Sequence, residues 1–334
     1  MILLTGATGL LGTRIAMELS LKGFSIRALK RRDSSTAFFE KVIRFYHPDN
    51  ADQIISSVEW VNGDILDLGS LEDAMQNVTQ VYHAAAMVSF HPEDRKQLIQ
   101  TNIEGTANVV NIALEAGVKK FCHISSIASL GRTLHGEPVT EDTWWKNDPS
   151  NSWYAISKYG AEREAWRATE EGMDVVILNP SFIIGPGDPG KSSAAVFSLA
   201  KKGISFYTNG QTGYVDAGDV ARAAVMLMQS DIKNERFILS SENLTYRQFL
   251  DSVLTAMGQQ PTRRYASPFL TGLAWRGEKW LSRLTARRAL ITKETAEAAH
   301  RVTSYDGTRI CTVLPFEYKS AAESIRETAA FFRQ

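Results

Sequence analysis

Short, continuously apolar runs recur along the first 180 residues: ILL at 2–4, IRAL at 26–29, VEWV at 58–61, VYHAAAM at 81–87, KFCHI at 120–124 and VVILNP at 175–180. A strand with one wet face alternates apolar and polar residues; runs without that alternation are buried on both faces, as in parallel sheets. Between them lie stretches with helical spacing: Leu11 to about Leu21 with Gly23 as its stop, Ala37 to Ile55, Leu68 to Met75, Asn102 to Ala116 and Tyr154 to Ala168. Strands alternating with helices predict an α/β fold with a doubly wound parallel sheet.

After Pro180 the pattern changes. IIGPGDPGKSS reads as a loop, and helical pieces with scattered apolar runs follow. YVDAGDVARAAVMLM carries a helix signature with Asp219 near its start, and RFILSS reads as a strand returning to the sheet. The expected division is residues 1–180, with a return segment at about 212–241, and a smaller, mainly helical lobe over 181–334 that binds substrate. In that lobe Phe269, Leu273, Trp280 and Leu284 fall on one helical face. A cap packed over a pocket is the expectation for this helix, ahead of a membrane-surface role.

Bulk properties remove several classes of function. Lys plus Arg equals Asp plus Glu at 37 each, so no global charge points to nucleic acid or to an anionic membrane. No apolar run approaches bilayer length, and a strand beginning at Met1 leaves no room for a signal peptide. Cys122 and Cys311 lie far apart, without CxxC spacing, and read as reduced thiols of a cytoplasmic protein. The histidines at 47, 83, 91, 123, 135 and 300 show no metal-ligand spacing, so no metal site is expected.

TGATGLLG places Gly6, Gly9 and Gly12 between the first strand and the first helix. Glycines there let the chain turn tightly and let a pyrophosphate approach the backbone. The N–H groups around Thr8, Leu10 and Leu11, at the positive end of the helix dipole, then hold the phosphates. This is a Rossmann-type dinucleotide site. Further on, WYAISKYGAE sets Tyr154 four residues before Lys158, one above the other on a helix face. A free phenol has a pKa near ~10, and a neighbouring ammonium lowers it. Such a tyrosine can give a proton to the oxygen of a carbonyl being reduced, or take one from an alcohol.

The G-x-x-G-x-x-G spacing resembles the extended short-chain dehydrogenases/reductases, the NAD-dependent epimerase/dehydratase family, and further segments agree in order over about residues 1–240. Asp64-Ile65 resembles the pair that brackets adenine, and HAAA the strand end where Ala84, Ala85 and Ala86 admit the cofactor. Asn102 opens the helix whose asparagine supports the site, and ISSIASLG, aligned on Gly131, puts the active serine at Ser126. YAISK is then the Tyr-x-x-x-Lys of the family, and LNPSFIIGPGD, with Pro180 and Ile183, its nicotinamide-side loop. The resemblance implies a catalytic triad of Ser126, Tyr154 and Lys158, the last two also touching cofactor.

NAD enzymes carry a carboxylate at the end of the second strand to bind both ribose hydroxyls. Lys30, Arg31 and Arg32 stand there, which favours NADP(H), with Arg31 first and Lys30 second as partners of a 2′-phosphate; Asp33, a ribose ligand if the turn folds back, keeps NAD(H) open. The chain looks most like the dihydroflavonol reductase and 3β-hydroxysteroid dehydrogenase branch. That implies NADPH-dependent reduction of a ketone or aldehyde on a fairly apolar small molecule, with Met87, Val88 and Phe90 as candidate pocket residues. The alternatives are a nucleotide-sugar epimerase or dehydratase using NAD, and a non-catalytic NADP(H)-binding sensor. Homodimers through a helix pair are common in the family.

Overall fold

The computed structural model describes residues 1–133, 136–190, 193–285, 288 and 291–334; His135 and the side chain of Leu284 lie outside this set. Its centre is a seven-stranded sheet in which every paired neighbour is parallel. The first six strands are β1 (Ile2–Thr5), β2 (Ile26–Lys30), β3 (Val58–Asn62), β4 (Gln80–His83), β5 (Lys120–Ile124) and β6 (Asp174–Pro180). The short strands β7 (Phe182–Ile184), β8 (Phe206–Tyr207) and β9 (Gln211–Asp216) follow, then β10 (Glu235–Leu239), β11 (Glu242–Thr245) and β12 (Arg264–Tyr265). The main sheet runs β10-β6-β5-β4-β1-β2-β3. Strand order reverses between β1 and β4, and such switch points open a crevice at the carboxyl ends of the strands.

Both faces of this sheet are covered, as the apolar runs require. Leu4, Tyr82, Cys122 and Val176 pack with Ile15, Leu19, Val220 and Leu227 of the helices Leu10–Leu21 and Ala217–Gln229. Leu3, Val81, Phe121 and Val175 pack on the other side with Val109, Ala113, Ala165 and Ala168. RFILSS does return to the sheet: β10 pairs in parallel with β6, Phe237 opposite Leu178. A second sheet, β11-β9-β7, joins the segment after Pro180 to it, Ile183 lying opposite Val215.

Several local expectations change. The helix over 37–55 is two, Ala37–Tyr46 and Ala51–Ser56, because Pro48 offers no N–H and pushes His47 out of helical geometry, to φ −135° and ψ 62°. VYHAAAM leaves the sheet just past His83: Ala84 N still bonds the Thr5 carbonyl (3.3 Å), but β1 ends at Thr5, and Ala85 N bonds the Thr5 hydroxyl (3.2 Å) instead of a strand. Tyr214–Asp216 is strand rather than helix. The helix starts at Ala217, with the Asp216 carboxylate capping Gly218 N (2.8 Å) and Asp219 N (3.3 Å). Asn102 does not open a helix. It lies in a π-helical turn, Ile99–Glu104, inside a helical run that begins at Arg95.

The Pro268–Thr285 helix departs furthest from expectation. Phe269, Leu273 and Trp280 share a face as the spacing indicates, but all three are exposed, so among the described residues they do not pack as a cap. The opposite side holds the helix to the body, where Thr271 Oγ1 lies 3.0 Å from His300 Nε2.

Candidate active site

The glycine turn after β1 is shaped by contact with the strand across the switch point. Gly6 has φ +72°, and a Cβ there would lie 2.7 Å from the Ala84 carbonyl. A Cβ on Gly12 would lie 2.1 Å from the Gly6 oxygen. Larger residues would push the turn off β4 or off its own helix. Gly9 is the N-cap, exposed and extended, with no side-chain cap and no acidic residue in the first turn. Among the described residues no side chain competes with an anion for the first backbone N–H groups. Thr8 and Leu10 are partly buried and Leu11 is buried.

The residues assigned to the adenosine side lie at the carboxyl ends of β2, β3 and β4 and in the turns after them. Asp64 and Ile65 form a tight turn after β3: the Asp64 carboxylate accepts Leu66 N (3.0 Å), and the Ile65 carbonyl accepts Asn108 Nδ2 (3.0 Å). Ala84, Ala85 and Ala86 leave β4 with increasing exposure. At the end of β2, Lys30 Nζ donates to Asn62 Oδ1 (3.1 Å), while Arg31, Arg32 and Asp33 stand exposed on a turn closed by Ser34 N to Arg31 O (2.9 Å). Among the described residues the Arg31 side chain has no hydrogen-bond or ion-pair partner, which leaves it available to a phosphate.

The Trp153–Glu170 helix brings the other candidates together. Ser152 caps it, accepting Ala155 N (3.1 Å), a contact worth roughly 1 kcal/mol. Its inward stripe includes Ser157, Lys158, Ala161, Glu162, Ala165 and Ala168. The small residues let the helix lie close to its neighbours, and a Cβ on Gly160 would come within 2.4 Å of Ile103 in the π-turn. Across this contact Asn102 is fully engaged: Nδ2 donates to Met87 O (2.9 Å) and Ser157 Oγ (2.9 Å), and Oδ1 accepts Met87 N (2.7 Å). It ties the alanine segment to the tyrosine helix, which is how a buried asparagine supports a site without touching a ligand.

Ser126 ends the strand-to-loop turn after β5, its hydroxyl oxygen accepting Ala128 N (3.1 Å) and its carbonyl accepting Asn179 Nδ2 (3.1 Å). Burial pushes the Tyr154 phenol up, and the Ser126 side chain beside it draws it back. Phe90 meets the Tyr154 ring edge to face at 5.5 Å. Lys158, one turn on and 2% exposed, donates to Ile124 O (2.8 Å). Burial lowers it to about 8, against a raising influence from Glu162. One of its three protons is placed; two remain for a ligand's hydroxyls.

Two features escaped the sequence reading. Glu162 accepts Ser125 Oγ (2.6 Å), Ser129 Oγ (2.6 Å) and Asn179 Nδ2 (2.7 Å) on one oxygen, and pairs with Arg236 (3.0 Å) through the other. This carboxylate thereby holds the loop on either side of Ser126. Its signal was present, since 154, 158 and 162 form one i, i+4, i+8 stripe. The second feature is a stacked pair, His83 over His123, with ring centroids 5.6 Å apart. His83 is bonded to Thr5 (2.8 Å) and Thr106 (3.0 Å), whereas both His123 nitrogens are buried without partners among the described residues. Burial and the charge of Lys158 hold His83 down to about 3; the same causes, and then His83, hold His123 well below its ordinary value. Both are neutral at physiological pH. Among the described residues no group of three or more His, Cys, Asp or Glu could hold a metal. Cys122 is buried in the sheet and Cys311 is exposed, each free.

Comparison with known proteins bears on the family and the fold. Residues 2–239 match the model of the NAD dependent epimerase/dehydratase family. The chain is 28% identical to a putative dihydroflavonol 4-reductase of Synechocystis sp., over 98% of its own length and 93% of the relative's. It is 31% identical to tetraketide alpha-pyrone reductase 2 of Arabidopsis thaliana, over 72% and 77% of the two chains. The NAD complex of Thermus thermophilus UDP-glucose 4-epimerase shares its fold with a TM-score of 0.75 at 21% identity, covering 99% of this chain and 98% of that one. The glycine turn against β4, the Ser126–Tyr154 contact and the match over residues 2–239 lead to one conclusion: the chain belongs to the NAD-dependent epimerase/dehydratase family.

Proposed function

We propose that this chain is an NADPH-dependent reductase of a ketone or aldehyde on a small, fairly apolar molecule. The observation that carries the reading is the half-buried Tyr154 phenol beside the Ser126 side chain, with the single-bonded ammonium of Lys158 one helical turn away. Residues 1–180 with the return segment at about 212–241 serve the cofactor in this reading, and 181–334 contribute the substrate lobe. The turn of Gly6, Gly9 and Gly12 would hold a nicotinamide cofactor, whose chemistry there would be hydride transfer. Ser126 orients the carbonyl oxygen, and Tyr154 delivers the proton that prevents a free alkoxide from forming. Lys158 lowers the cost of the phenolate left behind and offers its remaining protons to the ribose.

Exposed Val88 and Phe90, the latter against Tyr154, support an apolar substrate, as do the reductase names of the relatives. The exposed, unpaired Arg31 supports a 2′-phosphate. The test is NADPH oxidation across a panel of aromatic and aliphatic ketones and aldehydes. Turnover of an apolar carbonyl is the expected result. Tightly retained NAD with activity only on a nucleotide sugar would replace this reading by the epimerase one.

A further inference from the structure

A surface helix ordinarily turns its apolar stripe to the core. The Pro268–Thr285 helix is inverted: Phe269 (73% exposed), Trp280 (69%), Leu273, Leu281 and Leu270 all face outward. Among the described side chains the partly buried positions are Thr271, Gly272, Trp275, Glu278 and Ser282, and the Thr271–His300 bond belongs to that side. The helix is therefore attached by its more polar side and offers aromatic and leucine side chains to whatever lies outside. Exposed Tyr265 and Phe206, on the paired strands β12 and β8 that lead into it, add to the apolar surface.

Charge indicates what lies outside. The whole chain balances at 37 cations and 37 anions, yet residues 260–293 hold eight Lys and Arg and a single acidic residue, Glu278. Exposed Arg263 and Arg264 precede the helix, and exposed Arg276 and Lys279 lie on it beside the apolar side chains. Apolar and aromatic residues flanked by cations suit the boundary between anionic headgroups and acyl chains. No described helix is long and apolar enough to cross a membrane, so the contact is with one leaflet. A second copy of this chain would bring the same cations against themselves, whereas an anionic surface neutralises them.

We propose that this helix and the strand before it form a docking surface for an anionic lipid bilayer, Phe269 and Trp280 inserting at the interface while Arg263, Arg264, Arg276 and Lys279 meet the headgroups. Full-length protein is sedimented with vesicles of phosphatidylcholine alone and of phosphatidylcholine with roughly one third phosphatidylserine. The expected result is pelleting with the anionic vesicles that salt weakens. Phe269→Glu and Trp280→Glu should each weaken it about ten-fold or more, by removing buried aromatic area. Arg276→Gln with Lys279→Gln should lose about five-fold per cation. These side chains are exposed, so NADPH affinity and unfolding midpoint should match wild type, which separates loss of docking from loss of fold. Wild type remaining in the supernatant with anionic vesicles would overturn the proposal. So would glutamate variants that pellet as well as wild type. A solution dimer split by the same substitutions, without vesicle binding, would assign the face to a second copy instead.

Discussion

Arg236 on β10 reaches Glu162 on the tyrosine helix, its Nη1 3.0 Å from the carboxylate. Arg236 also donates through Nε to the Glu141 carbonyl (2.8 Å), so its place is held from two sides. The carboxylate is the acceptor on which Ser125, Ser129 and Asn179 converge. Glu162→Gln puts an amide into a pocket filled with donors and leaves Arg236 without its counter-charge. Breaking a buried pair by removing one partner costs roughly 3–5 kcal/mol, so urea unfolding should show a loss near the lower figure, Arg236 being partly exposed. An unfolding free energy within experimental error of wild type would show that the network is dispensable.

Tyr154→Phe preserves the ring and its contact with Phe90 while removing the proton. Loss of a general acid costs about 10²–10⁴-fold, and turnover on any active carbonyl should fall that far. NADPH affinity should stay near wild type. Retention of most activity would make the hydroxyl a bystander.

Lys158 gives a stability prediction with a definite sign. Burial holds it at about 8 in the folded chain, against 10.5 for an ordinary lysine. Between those values the unfolded chain holds more protons, so stability of the cofactor-free protein should rise with pH across that window. Below about 8 the buried ammonium costs about 3 kcal/mol. Lys158→Met removes that cost but also leaves the Ile124 carbonyl without its donor, so a net gain of about 1–2 kcal/mol at pH 7 is expected, together with loss of activity. Denaturant titrations of both proteins at pH 7 and pH 10 check it; a destabilised variant at pH 7 would contradict it.

The histidine pair sets the acid limb. His83 at about 3, and His123 well below its ordinary 6.5, are depressed relative to the unfolded chain, so stability should fall as pH drops below about 6.5. His123→Leu replaces a ring whose two nitrogens have no partners with an apolar side chain. It should leave stability at pH 7.5 unchanged or raised, and flatten the loss between pH 6 and 4. Thermal unfolding across that range is the measurement.

Arg31→Ala should weaken NADPH by about 2 kcal/mol, the loss of one hydrogen bond to a charged group, and leave NADH nearly unaffected. Titration of both cofactors by intrinsic fluorescence checks this. An equal loss for both would make Arg31 structural and return attention to Asp33.

Local order is where the sequence was most legible. The runs from Ile2 to Pro180 needed only their lack of alternation to read as buried parallel strands, and Gly6, Gly9 and Gly12 needed only their place between strand and helix. The Tyr154–Lys158 pair showed as a four-residue spacing on one helix face, and its catalytic reading came from the family resemblance of the motifs around it. These are short-range signals, encoded by neighbours along the chain. What the tertiary structure decided is which distant groups meet. Glu162 gathers partners 37, 33, 17 and 74 residues away; the 154, 158, 162 stripe places it on the tyrosine's side of the helix but says nothing of which distant groups it meets. His83 and His123 stack because β4 and β5 pair in register, with those two residues opposite each other. The face of the Pro268–Thr285 helix was read correctly but not its direction. An apolar stripe shows which side chains group together, and only their exposure, with Thr271 packed on His300, shows that no described residue of this chain covers them.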